Sequence, residues 1–456
     1  MSTCPNDSSS AIQKLAPELL SEIFLLCLPE SELWSMRNAS QAPLLLGRVC
    51  SRWRTIAHSS AALWSHFSVG DFSCDMQKSD YAKDIEALQI CMERSWSHPI
   101  SVTIILEFQK KPTDGCGAPL EKLLLAIISQ SSRWRSVIAM IPWVYGDEIA
   151  AAFCTKNVSK LEYFKLLVWG SSPPNTGRMS RHRFTLTNAP RLTHLELSAD
   201  INIDFHGTSH RIKLLEFHHG YNVKTDLGDL ITCLIQCPHL TTLFYRLSQS
   251  SHTTEFPAIL NLTHLRSLRL YFYIGADPNI LFDHILVPKL SVLELEHAMP
   301  SGDWPSLLNM LKRCRPPLTS LTLNGIHIRE QALLECLSLT PELRILRIYH
   351  TECTDVTMAA FTFGDCTDNT SANLCPRLRW LQFGIASHFS EAAMKRMVLS
   401  RWRVQGLESP VPSLPVKIVG VSYTSLTDEI LSDPAILKCM DEGLRLCVAI
   451  RVAAAD

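Results

Sequence analysis

Glu294 and Glu296 stand two residues apart in a stretch that reads as a strand, so both carboxylates project from one face. Paired carboxylates can divide general acid and base work between them. No second group and no pocket-forming motif accompanies this pair, so it reads as part of a binding surface. Seventeen histidines are spread along the chain, and His182, His194, His218, His239 and His264 fall inside or beside repeated strand motifs. Histidines placed in that way read as groove or surface side chains, not as bases. Cys233 and Cys237 lie one helical turn apart with no matching second pair, which favours packing over zinc ligation. His218 and His219 are adjacent and would point to opposite faces of a strand, so they cannot easily chelate one ion. GxxxxGK[ST], GxGxxG after a strand, GxSxG and HExxH are all missing from the sequence. The chain therefore reads as non-catalytic, with no metal and no cofactor expected.

The elements that must position such a surface come from a repeat. Pro190–Leu197 has the form P-x-L-x-x-L-x-L, which recurs at Pro238, Pro288, Pro341 and Pro376, and without one spacer residue at Pro317. Versions without the proline begin at Trp134, Leu161, Ile212 and Leu265. Successive first apolar positions (Trp134, Leu161, Leu192, Ile212, Leu240, Leu265, Leu290, Leu318, Leu343, Leu378) are 20 to 35 residues apart, the spacing of leucine-rich repeats or slightly above it. Helical patterns lie between them at Leu227–Cys237, Trp304–Cys314 and Glu330–Leu339. Each unit reads as strand, loop and helix, and neighbours must cover one another's leucines. The asparagine usual after such a strand is mostly absent, with Asn324 the clearest case.

Alternation then defines an opposite face. It carries Ser267, Arg269 and Tyr271, then Val292, Glu294 and Glu296, then Ser320, Thr322 and Asn324, then Ile345, Arg347 and Tyr349, and finally Trp380 and Gln382. Arginine and aromatic side chains are favoured at interface hot spots. Arg269, Tyr271, Glu294, Glu296, Arg347, Tyr349 and Trp380 are accordingly the candidate target-binding residues.

The N-terminal part reads differently. Pro17 and Glu18 suit a helix start, Leu19, Leu20, Ile23, Phe24 and Cys27 form a wide apolar stripe, and Pro29 ends it. One helix is expected from Leu44 to Ala57, with Val49, Cys50, Trp53, Ile56 and Ala57 on one stripe and Arg48, Arg52 and Arg54 mostly in solvent. Ser59 and Ser60 break it, and Leu63 and Trp64 restart the apolar pattern. Three short helices cannot bury all of that surface. Two destinations fit the surplus equally: a partner, or the rest of the chain.

Leu15-Ala-Pro-Glu-Leu-Leu-Ser-Glu-Ile-Phe24, Leu46-Gly-Arg-Val-Cys-Ser-Arg-Trp-Arg-Thr-Ile-Ala57 and Leu63-Trp64 together resemble the F-box, whose pattern is LPxELLxxIF, then VCRxWRxLA, then LW. Ala16 separates Leu15 from Pro17 where the family has a direct Leu-Pro pair. The span from Phe24 to Val49 is longer than the compact form, as in the F-box-like proteins abundant in fungi. The resemblance implies binding to a Skp-family adaptor and, through it, recruitment to a cullin–RING ubiquitin ligase holding a protein substrate. Carried onto this chain, the adaptor-binding residues would be Leu15, Pro17, Glu18, Leu19, Leu20, Ile23, Phe24, Val49, Cys50, Trp53, Leu63 and Trp64. A leucine-rich-repeat scaffold with no ligase role is the alternative.

Hydrophobic residues make up 46% of the 456 and charged residues 19%, with a formal net charge of -1, which suits a globular chain and gives no basic surplus for nucleic acid. MSTCPNDSSS reads as lacking a signal peptide, and the longest apolar run, around Leu123–Ile128, is far short of a membrane span. The sixteen cysteines, among them Cys27, Cys50, Cys91 and Cys336, read as reduced core thiols of a cytoplasmic or nuclear protein. The expected fold class is an α/β repeat: a short three-helix F-box followed by an irregular leucine-rich-repeat solenoid. Its expected parts are a disordered 1–10, an F-box-like helical domain at 11–68, a linker and N-terminal cap at 69–130, the solenoid at 131–400, and a C-terminal cap and tail at 401–456.

Overall fold

A computed structural model describes residues 11–29, 38–70, 78–106, 117–169, 182–198, 201–205, 209–218, 226–247, 259–273, 279–298, 304–363, 374–384, 387–403, 418–422 and 428–449. The expectation for residues 1–10 lies outside them. The chain divides into two compact units, Met1–Asp204 and Phe205–Asp456. Both are α/β, and in each the strands pair in parallel into an open ladder with helices between them. None of the described helices is long and apolar enough to cross a membrane.

The first unit begins with helices α1 (Pro17–Leu26), α2 (Leu46–Val49) and α3 (Ser51–Ser59) and a 3-10 turn at Ala61–Trp64. It continues through β1 (His66–Val69), α4 (Lys78–Ser95), β2 (Ile100–Ile105), α5 (Gly117–Ser129), β3 (Trp134–Pro142), α6 (Trp143–Thr155) and β4 (Tyr163–Trp169). Strands β5 (His182–Thr185), β6 (His194–Leu197) and β7 (Ile201–Asp204) complete it. The ladder runs β1-β2-β3-β4-β6, with β5 and β7 paired separately.

The helix expected from Leu44 to Ala57 is broken. Cys50 is extended (φ -158, ψ 170), and its Sγ accepts the Trp53 amide at 3.4 Å as the N-cap of α3. A cap needs this non-helical backbone to reach an otherwise unpaired amide, which ends α2 one residue earlier. Two of the arginines, exposed Arg54 and half-buried Arg52, also tie the helices together. Arg54 Nε donates to Gly47 O at 2.7 Å, and Arg52 donates to Leu15 O.

The second unit contains β8 (Leu214–Phe217), α7 (Leu227–Gln236), β9 (Thr242–Leu247), β10 (Leu260–Asn261), β11 (Ser267–Phe272), α8 (Asn279–His284) and β12 (Ile285–Leu286). There follow β13 (Val292–His297), α9 (Pro305–Cys314), β14 (Ser320–Asn324), α10 (Glu330–Ser338), β15 (Ile345–Tyr349) and α11 (Asp355–Phe361). Last come β16 (Trp380–Phe383), α12 (Glu391–Arg403), β17 (Ile418–Ser422), α13 (Asp428–Ser432), α14 (Pro434–Asp441) and β18 (Arg445–Ala449). Its ladder is β8-β9-β11-β13-β14-β15-β16-β17-β18, with β10 and β12 paired apart. Every repeat motif named from the sequence leads into a strand. Parallel strands also stand outside 131–400, with β1 and β2 before it and β17 and β18 after it.

The motif has a local physical basis. Its first leucine is at most 3% exposed in Leu240, Leu265, Leu290, Leu318, Leu343 and Leu378. The leading proline opens a tight turn that delivers this leucine: Leu240 N donates to Cys237 O, Leu290 N to Val287 O, Leu343 N to Thr340 O and Leu378 N to Cys375 O. Proline presets the backbone needed at the second position of such a turn. The next residue is often Ser or Thr, whose hydroxyl reaches the preceding unit: Thr241 to Lys213 O (2.9 Å), Ser291 to Arg266 O (3.0 Å) and Thr319 to Ser291 O (3.0 Å). Asn324 is not an interior asparagine but lies on the open face. The position three beyond the last apolar residue of a motif is instead filled by Thr351, buried to 2% exposure, whose hydroxyl donates to Ile326 O at 2.9 Å.

Helix starts are chained from unit to unit as well. Glu330, in the first turn of α10, accepts from Thr354 N at 2.7 Å, from the Thr354 hydroxyl and from both donors of Thr357, at the N-terminus of α11. Asp355, first in α11, in turn accepts Ser390 N at 2.6 Å just before α12. Cys91, Cys154, Cys336, Cys353 and Cys375 pack among the helices and strands, where burial pushes each thiol up to about 12. Cys27 and Cys50, expected among the core thiols, are exposed, because one ends α1 and the other caps α3.

Burial alone would raise the Glu330 carboxyl, but the four hydrogen bonds from Thr357 and Thr354 outweigh it and hold the group below its ordinary 4.5. A depressed carboxylate contributes stability above the unfolded value and loses it as pH falls through the folded one. Glu330→Ala should lower unfolding free energy at pH 7 by about 1–2 kcal/mol. In urea melts at stepped pH, the gap between wild type and variant should close as pH drops below 4.5.

Candidate functional site

In the first unit, α1 has two apolar faces. Leu20 and Phe24, four residues apart, are fully buried. Phe24 lies 4.9 Å from Trp53 between ring centroids, and the same core holds Ile56, Ala57, Leu63 and Trp64. Trp64 Nε1 donates to Ala57 O at 2.7 Å, and the Arg94 guanidinium sits 4.2 Å from its ring centroid. These contacts use Leu20, Phe24, Leu63 and Trp64 to close the unit's own core, which removes four of the twelve sequence-named adaptor residues from its surface. Leu15 and Trp53 are half-buried, while Pro17, Glu18, Leu19, Ile23, Val49 and Cys50 are exposed.

The second face of α1 is open. Leu19 (54% exposed), Ile23 (37%) and Leu26 (86%) fall at i, i+4 and i+7, so they line one stripe. Leu45 (44%) and Val49 (56%) add exposed apolar surface at α2. Leu26 and Leu45 were not among the sequence candidates, although each is a helical step of three or four residues from one that was. Exposed large hydrophobics in such groups mark interaction surfaces.

In the second unit, strand register assembles the other surface. Arg269 is opposite Glu294 and Tyr271 opposite Glu296. Glu294 and Glu296 then oppose Thr322 and Asn324, which oppose Arg347 and Tyr349. Arg347 opposes Gln382, with its guanidinium 5.2 Å from the Trp380 ring centroid. All seven candidate target-binding residues thus belong to one ladder face. The row also extends to residues not singled out from the sequence as target-binding: Phe244 and Arg246 on β9, and Glu216 and His218 at β8. Their signal was present in the motifs that begin at Ile212 and Pro238.

Part of this face is internally paired. Arg269 bridges Glu294 (3.2 Å) and Glu216 (3.9 Å), and Glu216 also meets His218 Nε2 at 3.2 Å. His218 stacks on Phe244 with centroids 4.6 Å apart, and Arg246 lies 5.2 Å from the Tyr271 ring. The Arg269 and Glu294 side chains are 40% and 37% exposed, so their pair is worth only ~0.2–1 kcal/mol and chiefly orients the two groups. Burial raises the Glu296 carboxyl, Arg246 opposes that, and Glu294 adds to it. Gly384 lets β16 pass Tyr349 closely, since a Cβ there would sit 2.8 Å from Tyr349 Cα.

Among the described residues, no three His, Cys, Asp or Glu side chains gather as a metal site. Cys233 and Cys237 are buried within one helical turn, and burial raises the Cys233 thiol well above its ordinary range. In the first unit, Glu196 is 9% exposed and held by Lys165 Nζ at 2.7 Å and the Tyr163 hydroxyl at 2.8 Å, with His194 stacked on Tyr163.

The split of α1 into two faces gives a direct check. Leu20→Asp should destabilise the first unit by more than about 3 kcal/mol, because it buries a carboxylate and opens a cavity. Leu19→Asp, one residue away, should stay within about 0.5 kcal/mol of wild type in the same denaturant melt. No protein-family model matches the chain, and no curated protein matches it either.

Proposed function

We propose that this chain is the substrate-recognition subunit of an SCF-type (Skp–cullin–F-box) E3 ubiquitin ligase. The N-terminal helices dock a Skp-family adaptor as an F-box, and the later strand–helix units act as leucine-rich repeats that hold a target protein. The observation that carries this reading is the open stripe Leu19, Ile23 and Leu26 on a helix whose other apolar face is already buried in its own core. A helix that only capped the repeats would gain nothing from a second apolar face in water, at ~1.5–3 kcal/mol for each side chain left unburied. The open ladder face, with Arg347 over Trp380 and Arg246 over Tyr271, supports the target-holding half. The subunit would catalyse nothing itself and would act by raising the concentration of target beside the ligase.

A repeat scaffold without a ligase role also has an observation in its favour. Trp64 is covered by Arg94 of α4, and β1 pairs with β2, so the N-terminal helices lead directly into their own ladder. The two readings separate in a pull-down with purified Skp-family adaptor. Wild type should retain adaptor. The Leu19→Asp, Ile23→Asp double variant should lose at least about tenfold of it with an unchanged melting midpoint. Equal recovery by both proteins, or none by wild type, would overturn the ligase reading in favour of the scaffold.

A further inference from the structure

The open face of the second unit is uneven in height and in charge. Strand β14 contributes only short side chains to it: Ser320, Thr322 and Asn324. Glu296 stands on the strand to one side, and Arg347 and Tyr349 on the strand to the other. The result is a trough floored by β14. Its walls are two strand spacings apart, roughly 10 Å. A helix with side chains is about 10–12 Å across and is too wide to lie in it, whereas a single extended chain fits.

The charges on the two walls are opposite. Arg269, Glu216, Glu294 and His218 satisfy one another further along the face. Glu296, by contrast, is exposed, and its carboxylate feels the charges of Arg246 and His350 without a salt bridge to either. Arg347 lies against the Trp380 ring and meets no carboxylate among the described residues.

We infer that the trough over β14 takes an extended peptide segment that sets a basic side chain against Glu296 and an acidic one against Arg347. Side chains of an extended chain alternate between opposite sides, so groups that reach opposite walls are an odd number of residues apart. Glu296 is level with Tyr349, and Arg347 lies two residues back along its strand. That offset, about 7 Å, fixes the spacing at one or three residues. The inference rests on the reading of this face as the target-holding surface.

The test is selection from a random peptide library on the immobilised full-length chain, with Glu296→Lys and Arg347→Glu variants run in parallel. Wild type should enrich peptides with one basic and one acidic residue at a spacing of one or three. Arg347→Glu should enrich two basic residues at that spacing, and Glu296→Lys two acidic ones. A wild-type-selected peptide carrying a fluorophore should bind either variant at least about tenfold more weakly. Melting curves that match wild type exclude misfolding. If a charge reversal unfolds the unit, Glu296→Gln and Arg347→Gln should each abolish the preference for one sign alone. No enrichment, enrichment without the charge pair, an even spacing, a helical spacing near eight, or a motif unchanged in both variants would overturn the inference. Adaptor capture depends on Leu19 and Ile23 and is read separately, so the ligase role and this peptide preference fail independently.

Discussion

A strand–helix unit of this protein cannot bury its own leucines, and everything else in the second unit follows from that. Each row of Leu268, Leu270 and Phe272 is covered only because Leu293, Leu295 and their successors repeat it in register on the next strand. Parallel pairing without slippage is therefore obligatory, since a shift of one residue would turn the leucines to water. The same register aligns the other face at no further cost. Residues that alternate with the leucines must stand in straight rows across the strands, whatever their chemistry.

The fold spends side-chain hydrogen bonds on keeping that register. At Thr241, Ser291 and Thr319 the hydroxyl at the start of a motif repeats the bond that the backbone amide makes to the preceding unit. Glu330 and Asp355 do the equivalent work for the helices, each at the start of one helix and bonded to the start of the next. Arg401, in the last turn of α12, ties that helix to the end of α11. It is 2% exposed, has no carboxylate partner among the described residues, and donates to Phe361 O at 2.7 Å, Leu374 O at 2.6 Å and Cys375 O at 3.1 Å. Burial lowers its guanidinium to about 10, and the face of the Phe363 ring, 4.4 Å away, attracts the cation. Such pairings fix nearest neighbours and leave the open face available.

The first unit obeys a different constraint. Its three short helices have more apolar surface than so small a core can absorb. The division falls between adjacent residues: Leu20 is inside and Leu19 outside, Phe24 inside and Ile23 outside. Both kinds are large aliphatic or aromatic side chains, so composition does not separate them. What separates them is the helix rotation fixed by Phe24 against Trp53 and by the break at Cys50.

The sequence by itself determined the strands of the repeat, the turn prolines that start them and the alternation that names the open face, because each depends on spacing along a single chain. It also marked three short helices within residues 15–67 and their over-supply of apolar residues. Only the tertiary structure decided which of those residues remain exposed, because burial belongs to pairs of helices and not to one. It likewise broke the helix at Cys50, where capping geometry outweighed a continuous apolar stripe. And it sorted the open-face charges into the salt-bridged set at Arg269 and, apart from it, Glu296 near Arg246 and His350 and Arg347 against Trp380. Charge pairing across strands is a matter of distances between units, to which periodicity within a unit is blind.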